Sequence, residues 1–332
     1  TCAYRGFGGP QIYTMSEALT DMAAEKAGID AWEFRMKNVA REGDLTINSR
    51  PYLSYTYPEL LMKLKPHYDA FKAEAEAAKA EGRHVGVGMA MGGFNVGKGF
   101  IDHCENALEL CDGGYINVYN TWQDLGQGGD IGTLTHVLKV LEPLHLTPEQ
   151  VRFVTCDTKL APDSGLSAAS RSHFMNGRAL LDAGNKLLSA MRREDGTYRT
   201  YEEMVAEGIP TKYMGHTDES GQGYDPCQDP NTGEGNRFAQ YTYGVSCALV
   251  EVDVETGKVK VLRYAIATDV GVIGNRLSVE GQGYGGISHS IGFALSEDYQ
   301  DIKRHRNMIA CGIPQIQDIP DDIRVEYSET PR

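Results

Sequence analysis

Three segments rich in glycine or serine constrain the fold of this chain more than any other feature. The first runs from Ala3 to Gln11 and places Arg5 and Phe7 on either side of Gly6. The second, Gln123–Asp130, and the third, Ser164–Arg171, each lead directly into a helical pattern. Glycine adopts backbone conformations that other residues avoid, so a backbone containing it can approach a ligand closely. One such segment is compatible with an ordinary turn, whereas three in one chain favour a binding site.

Hydrophobic periodicity predicts an α+β fold, with helices packed on mixed, twisted sheets. Two short helices are predicted within 15–41, where Ala18, Leu19, Met22, Ala23 and Ala27 form an apolar face that ends at Gly28, and Asp30 caps the second helix. Further helices are predicted at 58–82, 131–142, 171–191, 200–207 and 279–295. Strands are predicted at 85–96, 107–110, 115–119, 151–155, 242–254 and 258–268, the last two as a hairpin that turns at 255–257.

Two stretches lack periodicity. Residues 42–57 are polar and irregular, which indicates a domain boundary, and residues 214–238 are predicted to form a surface loop.

The charge and cysteine content narrow the range of partners. A formal net charge of −14 argues against nucleic acid or an anionic membrane surface as a partner. No apolar run approaches the roughly 18 residues that a membrane span requires. Seven scattered cysteines without a C-x-x-C pair indicate reduced thiols. These features favour a cytoplasmic location, with the periplasm left open.

Two of the three segments have the character of anion sites. A helix N-terminus presents unpaired N–H groups and the positive end of the helix dipole, and preceding glycines let an anion reach them. Gly126–Asp130 precedes the helix predicted at 131–142. Ser167–Ser170 precedes the helix at 171–191, which Ser167 or Ser170 is predicted to cap. The pair suits a ligand with a pyrophosphate, although plain helix capping accounts for either segment alone.

The three segments, in this order, resemble the xanthine oxidase family of molybdenum hydroxylases. The likeness continues through Val250–Val254 and Val279–Gln282 and ends at Glu329–Arg332. Within the family it is strongest to bacterial aldehyde oxidoreductases that carry molybdopterin cytosine dinucleotide. The resemblance implies that residues 1–56 are the C-terminal tail of a first molybdenum-binding domain. Residues 57–332 would then be the second such domain, truncated before its catalytic-base loop.

The resemblance also implies roles for individual residues. Arg5 would line the metal pocket, and Phe7 would pack against the substrate, while no protein side chain would coordinate the metal. The glycine loop at 126–128 would hold the pterin phosphate, residues 167–172 would contact the dinucleotide, and the helix at 278–282 would contact the pterin end. The implied cofactor-binding residues are Ala3, Tyr4, Arg5, Gly6, Phe7, Gly126, Gln127, Gly128, Ser167, Ala168, Ala169, Ser170, Arg171, Ser172, Ser278 and Gln282.

The activity implied by the resemblance is oxidation of aldehydes to carboxylic acids, with water as the oxygen source. Two alternatives remain open: a purine hydroxylase of the xanthine dehydrogenase type, and a non-catalytic cofactor-binding fragment. The implied partners are a small aldehyde, the iron–sulfur and first molybdenum domains, an electron-acceptor protein and a second copy in a homodimer. The [2Fe–2S] clusters and the catalytic glutamate are expected outside these residues, so the chain alone is expected to be inactive.

Overall fold

The computed structural model describes residues 5–41, 43–52, 54–97, 102–155, 157–218, 229, 231–235, 238 and 240–329. The helices are α1 (Gly9–Ala27), α2 (Ala31–Asn38), α3 (Tyr57–Ala80), α4 (Gly129–Val140), α5 (Arg171–Met191), α6 (Tyr201–Ala206) and α7 (Arg276–Leu295). The strands are β1 (Val85–Val96), β2 (His103–Cys111), β3 (Tyr115–Tyr119), β4 (Val151–Val154), β5 (Lys212–Asp218), β6 (Gln240–Val252), β7 (Val259–Asp269) and β8 (Asp322–Ser328).

The chain forms two compact units, each containing one four-stranded sheet and packed helices. The first unit comprises Thr1–Asp44, Tyr52–Phe94 and Tyr241–Arg332, and the second comprises Leu45–Pro51 and Asn95–Gln240. This mixture of helices and mixed sheets confirms the predicted fold class. The domain boundary predicted at 42–57 stays a prediction.

The sheet of the first unit is covered on both faces. Its strands lie in the order β1-β6-β7-β8, with β6 and β7 antiparallel and β7 and β8 parallel. Side chains alternate between the two faces of a strand. On β7, Ala265 and Ala267 belong to the core formed with α3, whereas Tyr264 and Ile266 pack with Ile287 of α7.

In the second unit, two helices pack on the sheet. The strand order is β4-β3-β2-β5, with β3 and β4 parallel and the other pairs antiparallel. Leu108 on β2 and Ile116 on β3 are fully buried with Val137 of α4 and Leu180 and Leu187 of α5. This core supports the ends of α4 and α5 at which the second and third sequence segments lie.

The predicted boundaries agree best where periodicity is strong. The bounds of β1, β3 and α5 are those predicted. Helix α1 begins at Gly9 rather than near 15, because Pro10 has a backbone angle suited to the first helical turn. The apolar face predicted for this helix is not its buried face, since Leu19 and Met22 are exposed and Ala24 is buried.

The sequence pattern did not predict strands β5 and β8. The prediction of a loop over 214–238 is wrong for Met214–Asp218, which pair with β2 as part of β5. Of the rest of that stretch, residues 219–228, 230, 236 and 237 lie outside the described residues. Among the helices that are described, none has both the length and the apolar character needed to cross a bilayer.

At Gly215, strand β5 lies close against the backbone of α5. A Cβ at this position would lie 1.9 Å from the Ala179 carbonyl oxygen and 2.7 Å from the Ala183 backbone nitrogen. We therefore expect Gly215→Ala to lower the free energy of unfolding by about 3 kcal/mol, the upper end of typical overpacking costs. Gly86→Ala is the matched control, because a Cβ there meets nothing within 4 Å. Equal urea midpoints for the two variants would contradict the packing.

Candidate functional site

The predicted site residues fall into two groups, one in each unit. The first group contains Arg5, Gly6, Phe7, Ser278 and Gln282. The second contains Gly126, Gln127, Gly128, Ser167, Ala168, Ala169, Ser170, Arg171 and Ser172. Ala3 and Tyr4 lie outside the described residues. Each group is built from contacts within its own unit.

A tight turn fixes the loop that carries Arg5 and Phe7. The Gly9 amide donates to the Gly6 carbonyl oxygen at 2.8 Å, and α1 begins at once. Gly6 has φ +93°, and a Cβ there would lie 2.7 Å from Pro10 Cδ, so only glycine suits this position. Phe7 is 80% exposed, which leaves its ring accessible for a ligand contact.

Arg5 and Gln282 are brought together although 277 residues separate them. Arg5 Nη2 donates to Gln282 Oε1 at 2.7 Å. Gln282 lies on α7, which begins three residues earlier than predicted because the Asn275 side chain accepts a hydrogen bond from the Ser278 amide at 3.0 Å. This cap orients the first turns of α7, and Gln282 in turn holds the Arg5 guanidinium. The contact predicted between Ser278 and the pterin stays a prediction.

In the second unit, the chain's own Asp124 carboxylate binds the glycine loop before α4. Asp124 Oδ1 accepts from the amides of Gly126 at 2.8 Å and Gly128 at 3.3 Å, and Oδ2 accepts from Asp130 at 3.0 Å. These backbone hydrogen bonds, led by that from Asp130, lower the pKa of Asp124. The amides that the sequence assigns to a phosphate therefore already have an anionic partner. Their contact with a cofactor stays a prediction.

Gln127 also turns its side chain toward its own loop. Its Oε1 accepts from the Leu125 amide at 2.5 Å, and its Nε2 donates to the Gln123 carbonyl at 2.9 Å. Gly126 and Gly128 have φ of +100° and +82°, conformations that favour glycine. The loop is thus held in one shape by its own side chains.

The second and third segments contact each other. Ser167 Oγ accepts from the Gln123 amide at 2.9 Å, so it joins the two loops instead of capping α5. Ser170 occupies the N-cap position of α5, but its side chain makes no capping hydrogen bond. The predicted capping role is therefore wrong for both serines. Ala169 and Ser170 have φ of 50° and 59°, a left-handed conformation that costs free energy in non-glycine residues.

Arg171 has an internal role in this structure. Its Nε lies 2.5 Å from Asp102 Oδ2, and both side chains are 0% exposed. The guanidinium also donates to the carbonyls of Leu166 at 2.6 Å and His103 at 2.7 Å. These contacts fasten the third segment to β2. Whether Arg171 also contacts a dinucleotide stays a prediction, and among the other predicted residues Ala168 is exposed and Ser172 half-buried.

Two histidines link α4 to α5 close to both loops. His136 Nε2 lies 3.0 Å from His173 Nδ1, so one ring must donate and the other accept. Desolvation and the neighbouring His173 lower the pKa of His136 to about 4, and desolvation lowers the pKa of His173. Both rings are therefore neutral at pH 7. One turn further along α5, the buried Asn176 donates to Thr133 of α4 at 2.8 Å.

The N-terminus of α5 fits an anionic ligand only in part. It has no acidic residue in its first turn and no side-chain cap, either of which would compete with an anion for its amides. The Arg171 and His173 amides, however, already donate to the carbonyls of Ala168 at 3.0 Å and Ser170 at 3.3 Å. Ser170 is exposed beside these amides. Among the described residues, no three His, Cys, Asp or Glu side chains are grouped so that they could hold a metal ion.

Comparison with known proteins identifies the family. One model described as a molybdopterin cofactor-binding domain matches residues 61–320, and another with the same description matches residues 1–39. The chain belongs to the molybdopterin cofactor-binding domain family. This assignment confirms the resemblance on which the site residues were predicted.

The relatives that this chain matches are much longer than the part that aligns with it. The chain is 38% identical to an aldehyde oxidoreductase from Megalodesulfovibrio gigas over 99% of its own length and 36% of that protein. The crystal structure of the aldehyde oxidoreductase from Desulfovibrio desulfuricans superposes with a TM-score of 0.93 at 40% identity, again over 99% of this chain and 36% of the other. A xanthine dehydrogenase/oxidase from Felis catus is 27% identical over 97% of this chain and 25% of that protein. The chain thus spans about a third of the aldehyde oxidoreductases it matches.

Several residues that shape the site were missed by sequence reasoning. Asp124 had a usable signal, because aspartate commonly bonds the amide two residues further on, here that of Gly126. Asn275 had the ordinary N-cap preference. Asp102 gave no local signal, because its partner Arg171 lies 69 residues away.

Removing the Asp124 carboxylate should loosen the loop before α4. We expect Asp124→Ala to lower stability by about 1 kcal/mol, as loss of a capping carboxylate typically does. Amide hydrogen exchange at residues 126–130 should accelerate several-fold. Asp124→Asn, which keeps one acceptor oxygen, should fall between the variant and the wild type. Unchanged exchange in Asp124→Ala would show that the glycines hold the loop without it.

The histidine pair predicts a pH dependence of stability. The pKa of His136 falls from its ordinary 6.5 to about 4 in the folded chain. Between these values the unfolded chain binds more protons, so the free energy of unfolding should fall as the pH decreases from 6.5 toward 4. Thermal unfolding of His136→Gln should show a free energy of unfolding that changes less with pH over this range than that of the wild type. An equal pH dependence in the two proteins would contradict the lowered pKa of His136.

Proposed function

We propose that the protein to which this chain contributes is a molybdenum-dependent oxidoreductase that oxidises aldehydes to carboxylic acids, with water as the oxygen source. The chain would supply part of the site for molybdopterin cytosine dinucleotide. The observation that carries the proposal is the 38% identity to an aldehyde oxidoreductase over 99% of the chain. The N-terminus of α5, free of acidic residues in its first turn, supports it.

The first group of residues would act at the metal end of the cofactor. When bound, the cofactor supplies the two-electron oxidation of the substrate. Arg5, held by Gln282 at 2.7 Å, would present a fixed positive charge to the reacting oxygen, where negative charge develops. Phe7, with its ring 80% exposed, would pack against the substrate.

The second group would act at the dinucleotide end. Phosphate oxygens would accept hydrogen bonds from the Ser172 amide, in the first turn of α5, and from the Ser170 hydroxyl. Gly126–Gly128 would approach the pterin phosphate through their backbone, in the shape that Asp124 imposes. Ser167 would keep the two loops in register by binding the Gln123 amide.

The partners of the whole protein belong to the same proposal. They are a first molybdenum domain, iron–sulfur domains with [2Fe–2S] clusters, an electron-acceptor protein and a second copy in a homodimer. A purine hydroxylase is the second candidate, because the Felis catus xanthine dehydrogenase/oxidase aligns over 97% of this chain.

Metal and nucleotide analysis of the full-length protein tests the proposal. Protein purified from molybdate-supplied cells should contain molybdenum and release a cytidine nucleotide on acid hydrolysis. It should oxidise benzaldehyde in preference to hypoxanthine with an artificial electron acceptor. Absence of molybdenum would refute the function, preference for hypoxanthine would favour the purine hydroxylase, and a different nucleotide would change only the cofactor form.

Substitution of Arg5 tests the role of its charge. Arg5→Ala in the full-length enzyme should lower kcat by about 10²–10³-fold, the typical effect of removing one preorganised donor. Gln282→Leu should cause a smaller loss, because it leaves the charge but removes its hydrogen-bond partner. Molybdenum content should stay constant in both variants. Wild-type turnover in Arg5→Ala would show that the residue only shapes the loop.

A further inference from the structure

Helices α4 and α5 bring two imidazole rings together outside the residues assigned to the cofactor. His136 Nε2 lies 3.0 Å from His173 Nδ1, and the ring centroids are 4.3 Å apart with an angle of 44° between the ring planes. We call these two residues the histidine pair. His173 is exposed and His136 is half-buried, so the pair can be reached from solvent. Neutral imidazole is the commonest protein ligand of metal ions.

The two helices fix the spacing of the histidine pair. Asn176 Nδ2 of α5 donates to Thr133 Oγ1 of α4 at 2.8 Å, and both side chains are buried. Because this hydrogen bond lies next to the pair, the backbones that carry the two rings are held together without them. A site that is already arranged loses less conformational entropy when a ligand binds.

Two glycines leave space around the rings. A Cβ at Gly177 would lie 2.8 Å from His136 Cε1, so glycine at this position makes room for the ring. A Cβ at Gly132 would lie 3.5 Å from His173 Nδ1, and glycine there has no side chain to cover that nitrogen. An ion can therefore approach the facing nitrogens beside Gly132.

The separation of the two nitrogens fits a metal with right-angled coordination. A bond from a metal to a histidine nitrogen is about 2.0–2.1 Å long. Two such bonds at about 90° place the nitrogens about 2.9 Å apart, whereas a tetrahedral angle places them about 3.3 Å apart. The observed 3.0 Å is nearer to the first value. Square-planar and tetragonal nitrogen sites are typical of Cu²⁺ and Ni²⁺.

Protons compete little for these nitrogens at neutral pH. A histidine binds a metal through an unprotonated nitrogen, and desolvation lowers the pKa of His136 to about 4. In the metal-free pair, one facing nitrogen carries the shared hydrogen. When a metal binds, that hydrogen moves to the other nitrogen of the same ring, so both rings stay neutral and no proton is released. The formal charge of −14 on the chain also favours a cation.

We propose that the histidine pair binds a divalent transition-metal ion, with Cu²⁺ preferred, through His136 Nε2 and His173 Nδ1. Water completes the coordination, since no third His, Cys, Asp or Glu joins the pair among the residues that the structure describes. The hydrogen bond between the rings is the metal-free state of this site. A bound metal ties the second turn of α4 to the first turn of α5, just beyond the loops at 123–130 and 164–171.

Titration of the full-length protein with Cu²⁺ at pH 7 tests the proposal. Electron paramagnetic resonance should show one tightly bound Cu²⁺ per chain, with two nitrogen ligands. Ni²⁺ and Zn²⁺ should bind more weakly, and Mg²⁺ should not compete because it prefers oxygen ligands. A copper spectrum with fewer than two nitrogen ligands would overturn the proposal, as would competition by Mg²⁺.

Three variants locate the copper. His136→Gln and His173→Gln should each lower the Cu²⁺ affinity by about 100-fold, because even the loss of a hydrogen-bond partner of a metal ligand typically costs about 10–100-fold. His84→Gln is the matched control, since it removes an exposed histidine outside the pair and should leave the affinity unchanged. Wild-type affinity in either pair variant would overturn the proposal, and so would an equal loss in His84→Gln.

Amide hydrogen exchange of the wild type gives a test that needs no variant. Saturating Cu²⁺ should slow exchange several-fold at residues 129–136 and 171–176, whereas Mg²⁺ should leave it unchanged. Equal exchange with and without Cu²⁺ would overturn the proposal. Molybdenum content of the same samples reports on the proposed function separately. Copper binding by protein without molybdenum refutes the proposed function alone, and failure of molybdenum-containing protein to bind copper refutes this site alone.

Discussion

The second unit depends on the buried ion pair between Arg171 and Asp102. Withdrawing two charges from water costs several kcal/mol for each ion, which their mutual attraction offsets only with good geometry and further hydrogen bonds. Here the guanidinium also donates to the carbonyls of Leu166 and His103, which supplies such further hydrogen bonds. One side chain thereby joins the start of α5, the loop before it and β2. The pair thereby fixes where the first turn of α5 lies.

In the loop before α4, one charged side chain again holds several backbone groups, but it is exposed and its contribution to stability is smaller. Two glycines in left-handed conformations give that loop its path, but glycine also makes an unfolded loop more favourable entropically. Asp124 counteracts this tendency because its carboxylate gathers three amides. A loop that is already ordered loses less conformational entropy when a ligand binds. Asp124 therefore lowers the entropic cost that a ligand of this loop would otherwise have to offset.

Local sequence patterns predicted the helices and strands. They did not predict the hydrogen-bond partners of individual side chains, which lie far away in the sequence. The bounds of α5 followed from its periodicity and preceding serines, and β1 from its alternating residues. The serine hydroxyls were expected to cap α5, yet Ser167 binds Gln123, a partner 44 residues away. Likewise, the motif resemblance pointed Arg171 toward a dinucleotide, although its side chain is 0% exposed. A side chain's partner depends on which segments the fold brings beside it, and a motif contains no information about those distances.

Helix α1 shows the same difference between what a sequence pattern predicts and what the helix contacts. Its periodic apolar residues identify a face but not what that face contacts, because amphipathicity is a property of one element and burial is a property of two. Within the described chain, Leu19 and Met22 are exposed and Ala24 is buried, since Glu17 and Tyr13 hold the other side of the helix on β1. The periodicity of α1 therefore predicted a helix but not which of its faces is buried.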